Sequence, residues 1–168
     1  MPTFTLIGSP VTVGAGGASS IDFSSIPTTY TDLVLFISLR SSNSADYISL
    51  KFNNSTASFT GRTMNGNGST TGSENRTDNF VTGVMSPSTY TASTFSNGVF
   101  YIPNYTSSSN KSYLLDVVPE NNATATEMRL STGLWSNTAA INRITFDHPT
   151  AGTFVQHSTA HLYGVSNV

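Results

Sequence analysis

The sequence predicts an all-β protein, a jelly-roll β-sandwich of two antiparallel sheets built as one domain. Three observations predict it. Short β-prone segments recur about every 8–15 residues, the spacing of a sandwich or barrel. No segment carries a helical stripe, because Ser, Thr, Asn and Gly interrupt every 3.6-residue pattern. Ser, Thr and Asn supply 66 of the 168 residues, while charged residues supply only 10%; an ordinary soluble domain has roughly 25% charged residues. Such a surface stays in water through hydroxyls and amides. Hydrophobic residues at 37% and aromatics at 11% are too many for a disordered polar tract, which lacks the apolar surface to offset chain entropy. The length suits a single domain and buries a core without disulfides, and the chain has no cysteine.

Residues 4–7 and 10–13 are short and β-prone. Gly14, Ala15, Gly16 and Gly17 then break the chain. They set off residues 1–17 as an N-terminal arm, or as first strands, with a Gly hinge ahead of a sandwich domain over 18–168. Ile21 and Phe23 alternate with Asp22, and Pro27 ends that strand. Residues 32–40 form the strongest strand. Leu33, Leu35, Ile37 and Leu39 share one face, Val34 and Phe36 the other, which marks a central strand buried on both faces over its first half. In 47–52, Ile48, Leu50 and Phe52 alternate with Tyr47, Ser49 and Lys51. A strand over 58–64 follows, and the polar stretch 66–77 reads as a long loop. Strands over 80–85, 95–102 and 111–118 come next. Pro87, Pro103 and Pro119 lie near their ends, where a missing N–H does least harm. Strands over 128–134, 141–146, 153–156 and 159–165 close the chain.

The net charge is −2, and no two of the seven Lys and Arg residues lie within ten residues of each other. A duplex-binding surface needs clustered cations to displace counterions from phosphates, so nucleic acid is not an expected partner. The longest apolar run, Leu33 to Ile37, is far short of the ~20 residues of a membrane-spanning helix, so no membrane is expected either. Residues 1–13 lack the basic and continuous apolar regions of a secretory signal. Without one, the seven N-x-Ser/Thr sequons, at Asn53, Asn54, Asn67, Asn75, Asn104, Asn110 and Asn122, read as accidents of composition.

The nine carboxylates form no D-x-D or E-x-x-H pattern, and no G-x-S-x-G elbow occurs among the 26 serines. Neither paired carboxylates nor an activated nucleophile is visible, so the chain reads as a non-enzyme without a cofactor. His157 and His161 are four apart and would face the same way on one continuous strand. They read as surface or interface imidazoles rather than a metal pair. Gly14 to Gly17 lacks the downstream Lys-Ser/Thr of a phosphate loop, and residues 63–69 lack calcium-loop acids. Trp135 is either a core residue or a sugar-stacking platform, with Tyr90 as a second glycan-reading candidate.

Three stretches taken together carry a resemblance. The first is Asp32-Leu33-Val34-Leu35 with Ser38, Arg40 and Ser41, followed by Phe52-Asn53. The second is Ile102-Pro103-Asn104-Tyr105 with Lys111, then Trp135, Ala139-Ala140-Ile141, Ile144 and Phe146. The third is Phe154, Ser158-Thr159 and Leu162-Tyr163-Gly164-Val165. In this order they resemble small jelly-roll virion proteins of tailed bacteriophages, over about residues 20–168. His157 stands where that group is expected to have glycine, and His161 where a small polar residue is usual. The resemblance implies a virion-surface protein made in the host cytoplasm, commonly a homotrimer, whose partner is the major capsid protein. The expected function is capsid decoration: binding across capsid subunits on the head exterior and stabilising the shell. Phe4, Leu6 and Ile7 are the candidate partner-binding residues, on an arm that adds a strand to a neighbouring edge or is simply the first strand of the sandwich. The alternative is a tail or head-fibre appendage that reads host glycans. A non-phage lectin would be expected to show a signal peptide, a catalytic partner domain or calcium-binding acids.

Overall fold

The computed structural model describes residues 1–119 and 126–166; the sequon at Asn122 lies outside them. The described residues form thirteen strands and no helix. In chain order they are β1 (Thr3–Leu6), β2 (Val11–Thr12), β3 (Ser20–Phe23), β4 (Asp32–Leu39), β5 (Ile48–Phe52), β6 (Phe59–Gly66) and β7 (Thr71–Arg76). Then come β8 (Phe80–Val81), β9 (Ser96–Ile102), β10 (Lys111–Val118), β11 (Met128–Trp135), β12 (Ile144–Asp147) and β13 (Thr159–Ser166). The larger sheet runs β1-β13-β4-β9-β10-β11-β6-β7, with β2 also on β13; the smaller runs β3-β12-β5-β8. Every strand ladder is antiparallel.

Alternation puts one face of each sheet into a shared core. The larger sheet contributes Leu33, Leu35, Phe100, Leu115 and Leu162, and the smaller contributes Ile21, Ile48, Leu50, Phe52 and Phe146. Aromatic rings fill the centre. Phe52 meets Phe59, Tyr113 and Trp135 at centroid separations of 5.6–6.2 Å. Phe100 stacks on Tyr113 at 5.0 Å. Gly133 lies directly under Tyr113, whose ring atoms sit 2.0–2.3 Å from where a Cβ would be; only glycine fits there. Burial, with the charge of Asp78 adding to it, pushes the Tyr113 hydroxyl up to about 12.

Two side chains fasten the strand ends. Asn53 adopts a left-handed φ of 53° just after β5, a conformation Asn tolerates better than most residues. Its Nδ2 donates to the Ala140 carbonyl at 2.8 Å, and its Oδ1 accepts from the Asn142 and Arg143 amides at 2.9 and 3.2 Å. Asp32, at the head of β4, accepts from the Asn104 amide at 2.9 Å and the Tyr101 hydroxyl at 3.0 Å. Next to Asn104, the buried Tyr105 donates its hydroxyl to the Pro27 carbonyl.

Several expectations need correction. The 66–77 stretch is the second half of a hairpin: β7 pairs with β6, and Asn67 Oδ1 accepts from the Ser69 and Thr70 amides in the turn. Its inward positions are Gly72, Glu74 and Arg76, so no apolar alternation announces it. In 80–85 only Phe80 and Val81 are strand, and in 153–156 only Phe154 bridges, to Ala18 and Ser41. The Gly14–Gly17 stretch is a closed turn rather than a hinge, with the Gly17 amide donating to the Gly14 carbonyl at 3.0 Å. The N-terminal segment is strand: β1 and β2 lie along one edge of β13. Ile7 donates its amide to the Leu162 carbonyl at 2.8 Å and is buried in the core, so its side chain is not free for a partner. One expectation holds: Val34 is buried and Phe36 exposed, so β4 is covered on both faces over its first half.

Candidate association face

The central strands of the larger sheet are apolar on the wrong side as well as the right one. In β10, Tyr113, Leu115 and Val117 point inward, while Leu114 and Val118 point out. In β11 the polarity is inverted. Arg129, Ser131 and Gly133 share the inward face with Trp135, while Met128, Leu130 and Leu134 face away from the core. The buried hydroxyls of Ser131 and Thr63 satisfy each other at 2.8 Å.

Register assembles these outward residues into rows. One row runs Leu6, Tyr163, Val34, Tyr101, Leu114, Thr132 and Arg62. The next runs His161, Phe36, Val99, Asp116, Leu130 and Met64. Among the described residues, every exposed large hydrophobic except Met1 lies on this outer face: Phe4, Leu6, Phe36, Met64, Val99, Leu114, Val118, Met128, Leu130 and Leu134. Met64 is 67% exposed and Met128 59%. A solvent-facing sheet normally turns polar residues outward, and a contiguous apolar patch of this extent marks an interaction surface.

The charge on the face is sparse. Arg62 and Asp116 make no ion pair among the described residues. Arg62 donates to the Gly61 carbonyl, and His161 lies beside Phe36. Asp32 is at the rim and already hydrogen-bonded. The aromatic rings meet edge to face, Phe36 with Tyr163 at 5.7 Å and Phe4 with Tyr163 at 6.4 Å. They offer one another the ring faces a sugar would need, and the polar row Thr159, Ser38 and Asn97 borders them. The chemistry suits an apolar protein surface.

The sequence candidates are scattered. Phe4 and Leu6 sit at the β1 margin of this face and are exposed. Trp135 is 1% exposed and stacked on Phe59; as a glycan platform it is corrected to a core residue. Tyr90 is half-buried in a separate loop. The Arg40 guanidinium holds that loop through the carbonyls of Tyr90, Thr91 and Thr94 at 2.8–3.0 Å. Burial first, then the charges of Glu127 and Asp46 against the opposing Arg129, raise the Tyr90 hydroxyl above its ordinary value. His157 lies in the turn before β13 at φ 73°, outside the strand whose alternation would align it with His161. Among the described residues, no group of three His, Cys, Asp or Glu side chains is placed to hold a metal ion. Ser41 Oγ lies 2.8 Å from His148 Nε2, but both residues are buried and fasten the 41–43 turn to the end of β12.

Comparison with family models, with curated proteins and with solved structures returns no match.

Sequence reasoning missed the face itself. The signal was available in β10 and β11, where both alternation registers carry large apolar side chains.

Proposed function

We propose that the chain is a non-catalytic structural protein of a bacteriophage virion, a capsid decoration protein whose working surface is the outer face of its larger sheet. One observation carries this reading: among the described residues, the exposed large hydrophobics, Met1 aside, lie on one face. A subunit that functions by being packed against other subunits requires such a face. The order of the Asp32, Asn53, Asn104-Tyr105 and Leu162–Val165 segments supports the phage resemblance. Asn53 and Asp32 hold distant segments together, so these motif residues fasten the sandwich rather than perform chemistry. The sandwich is read as a jelly roll because the chain crosses between the two sheets at each step from β2 to β6 and again through β8 and β12, while the β6–β7 hairpin and the β9–β11 meander stay in the larger sheet.

On this reading, subunits that bind only the assembled shell stabilise it by mass action. Phe4 and Leu6, at the free edge of β1, are the part of the face placed to meet the major capsid protein. Quantitative mass spectrometry of purified virions tests the reading. Copies in the hundreds, in a simple ratio to the capsid protein, are expected. Absence from the particle would overturn it, and a few copies would move the chain to a tail or fibre appendage.

A further inference from the structure

We infer that the outer face of the larger sheet from β4 to β7 is occupied by a second copy of this chain, related by a two-fold axis lying in the plane of the face. The inference rests on the reading of that face as a protein–protein surface and names its occupant. Three observations select a second copy.

The first is charge. Arg62 on β6 and Asp116 on β10 stand two strands and one row apart. Leu114 and Met64 occupy the other two corners of that rectangle: Leu114 shares the row of Arg62 and the strand of Asp116, and Met64 the reverse. A two-fold axis running over Leu114 and Met64 lays Arg62 of each copy against Asp116 of the other. It pairs the face's unpaired cation and anion twice over. The same operation gathers Leu114, Leu130 and Met64 around the axis as an apolar centre with the charges outside it, the arrangement of stable interfaces. A face carrying one sign of charge would repel its own copy; this face is self-complementary.

The second is distribution. A closed three-fold ring needs two different complementary patches on each subunit, while a two-fold contact uses one patch twice. The described surface has one apolar face. A two-fold therefore replaces the three-fold that the phage resemblance implies.

The third is area. Strands ~4.8 Å apart with a rise of ~3.4 Å per residue give the six strands from β4 to β7 roughly 700 Å², with β1, Phe4 and Leu6 left outside. A standard stable interface buries about 800 Å² on each partner.

The test uses the full chain and reads mass by sedimentation equilibrium or light scattering. Wild type is expected to be a dimer. Arg62→Asp and Asp116→Arg each place like charges together twice, and each is expected to weaken dimerisation at least tenfold. Mixing the two single variants restores both ion pairs in a heterodimer, and the Arg62→Asp/Asp116→Arg double variant restores them in a homodimer. Recovery in the mixture also shows that the single variants are folded. A wild-type monomer at ~100 µM overturns the inference. If that monomer still binds virions, the proposed function stands and the face belongs to another virion protein. A trimer indifferent to both substitutions also overturns it, as does failure of the mixture and the double variant to recover.

Discussion

On the outward face of the smaller sheet, Asp22, Thr145 and Lys51 form one row, and Ser20, Asp147 and Ser49 the next. Lys51 pairs with Asp147. Asp22 accepts from Arg143 Nε at 2.7 Å and from Thr145 Oγ1 at 2.6 Å, and Asn79 donates to Ser49 at 2.7 Å. The corresponding central rows of the larger sheet hold Tyr101, Leu114 and Thr132, then Val99, Asp116 and Leu130. One sheet satisfies its outward groups internally and is finished toward water. The other leaves methyl and ring surface uncovered and, among the described residues, Arg62 and Asp116 without an ion pair. The same hydroxyl-rich composition thus yields two unlike exteriors, and the difference locates where this chain meets other protein.

Adjacent leucines give the sharpest contrast. Leu115 is 1% exposed and Leu114 39%, one residue apart on β10. Leu115→Ala is expected to destabilise the fold by about 2–5 kcal/mol. Leu114→Ala should stay within about 0.5 kcal/mol of wild type when denaturant unfolding is measured on dilute, dissociated protein. Equal losses at the two positions would break the distinction between the faces.

Asn53→Ala removes one donor and one acceptor that join β5 to the 140–143 segment. It is expected to cost about 2 kcal/mol by the same unfolding measurement. Breaking the Lys51–Asp147 pair with Lys51→Met should cost only about 0–1 kcal/mol, because the side chains are 29% and 26% exposed. High salt should shrink that difference further.

Acid weakens both perturbed groups, each over its own pH range. Burial works to raise the Asp22 carboxyl, but the bonds from Arg143 and Thr145 and the Arg143 charge outweigh it and hold the group below its usual range. Its contribution is present above the unfolded value of about 4 and is lost as pH falls through the lower folded value. Asp22→Asn should remove that step from a plot of melting temperature against pH. Burial lowers the His148 imidazole, the Thr150 carbonyl opposing. Stability from neutral His148 is therefore full above about 6.5 and declines as pH falls through the folded value. His148→Gln should flatten that decline.

The smallest effect has the opposite sign. His157 holds a left-handed φ of 73° at the position where the phage resemblance expects glycine, and it is exposed. His157→Gly relieves a backbone cost of about 1–2 kcal/mol but loosens the unfolded chain by about 0.4–1. A net gain of about 0.5 kcal/mol is expected in thermal unfolding.

Much of the fold was legible because alternation is local. Ile48, Leu50 and Phe52 declare a half-buried strand wherever it pairs, and Asp32 to Leu39 declares one covered on both faces over its first half. The hairpin strand β7 was illegible because its inward positions are glycine, an acid and an arginine, which no apolar period marks. The short Phe154 bridge was illegible because a single paired residue has no period at all. By itself the sequence determined the all-β class, the positions of most strands and the scarcity of charge on the surface. Which way β11 faces was decided only by tertiary structure. A one-residue slip would bury Leu130 and Leu134 and expose Trp135. The partners of Trp135, with Tyr113 lying over Gly133 and Ser131 bonded to Thr63, hold the register that turns those leucines outward. Arg62 and Asp116 share that face because strands distant in sequence pair side by side, a placement that cross-strand hydrogen bonding sets and that no local pattern encodes.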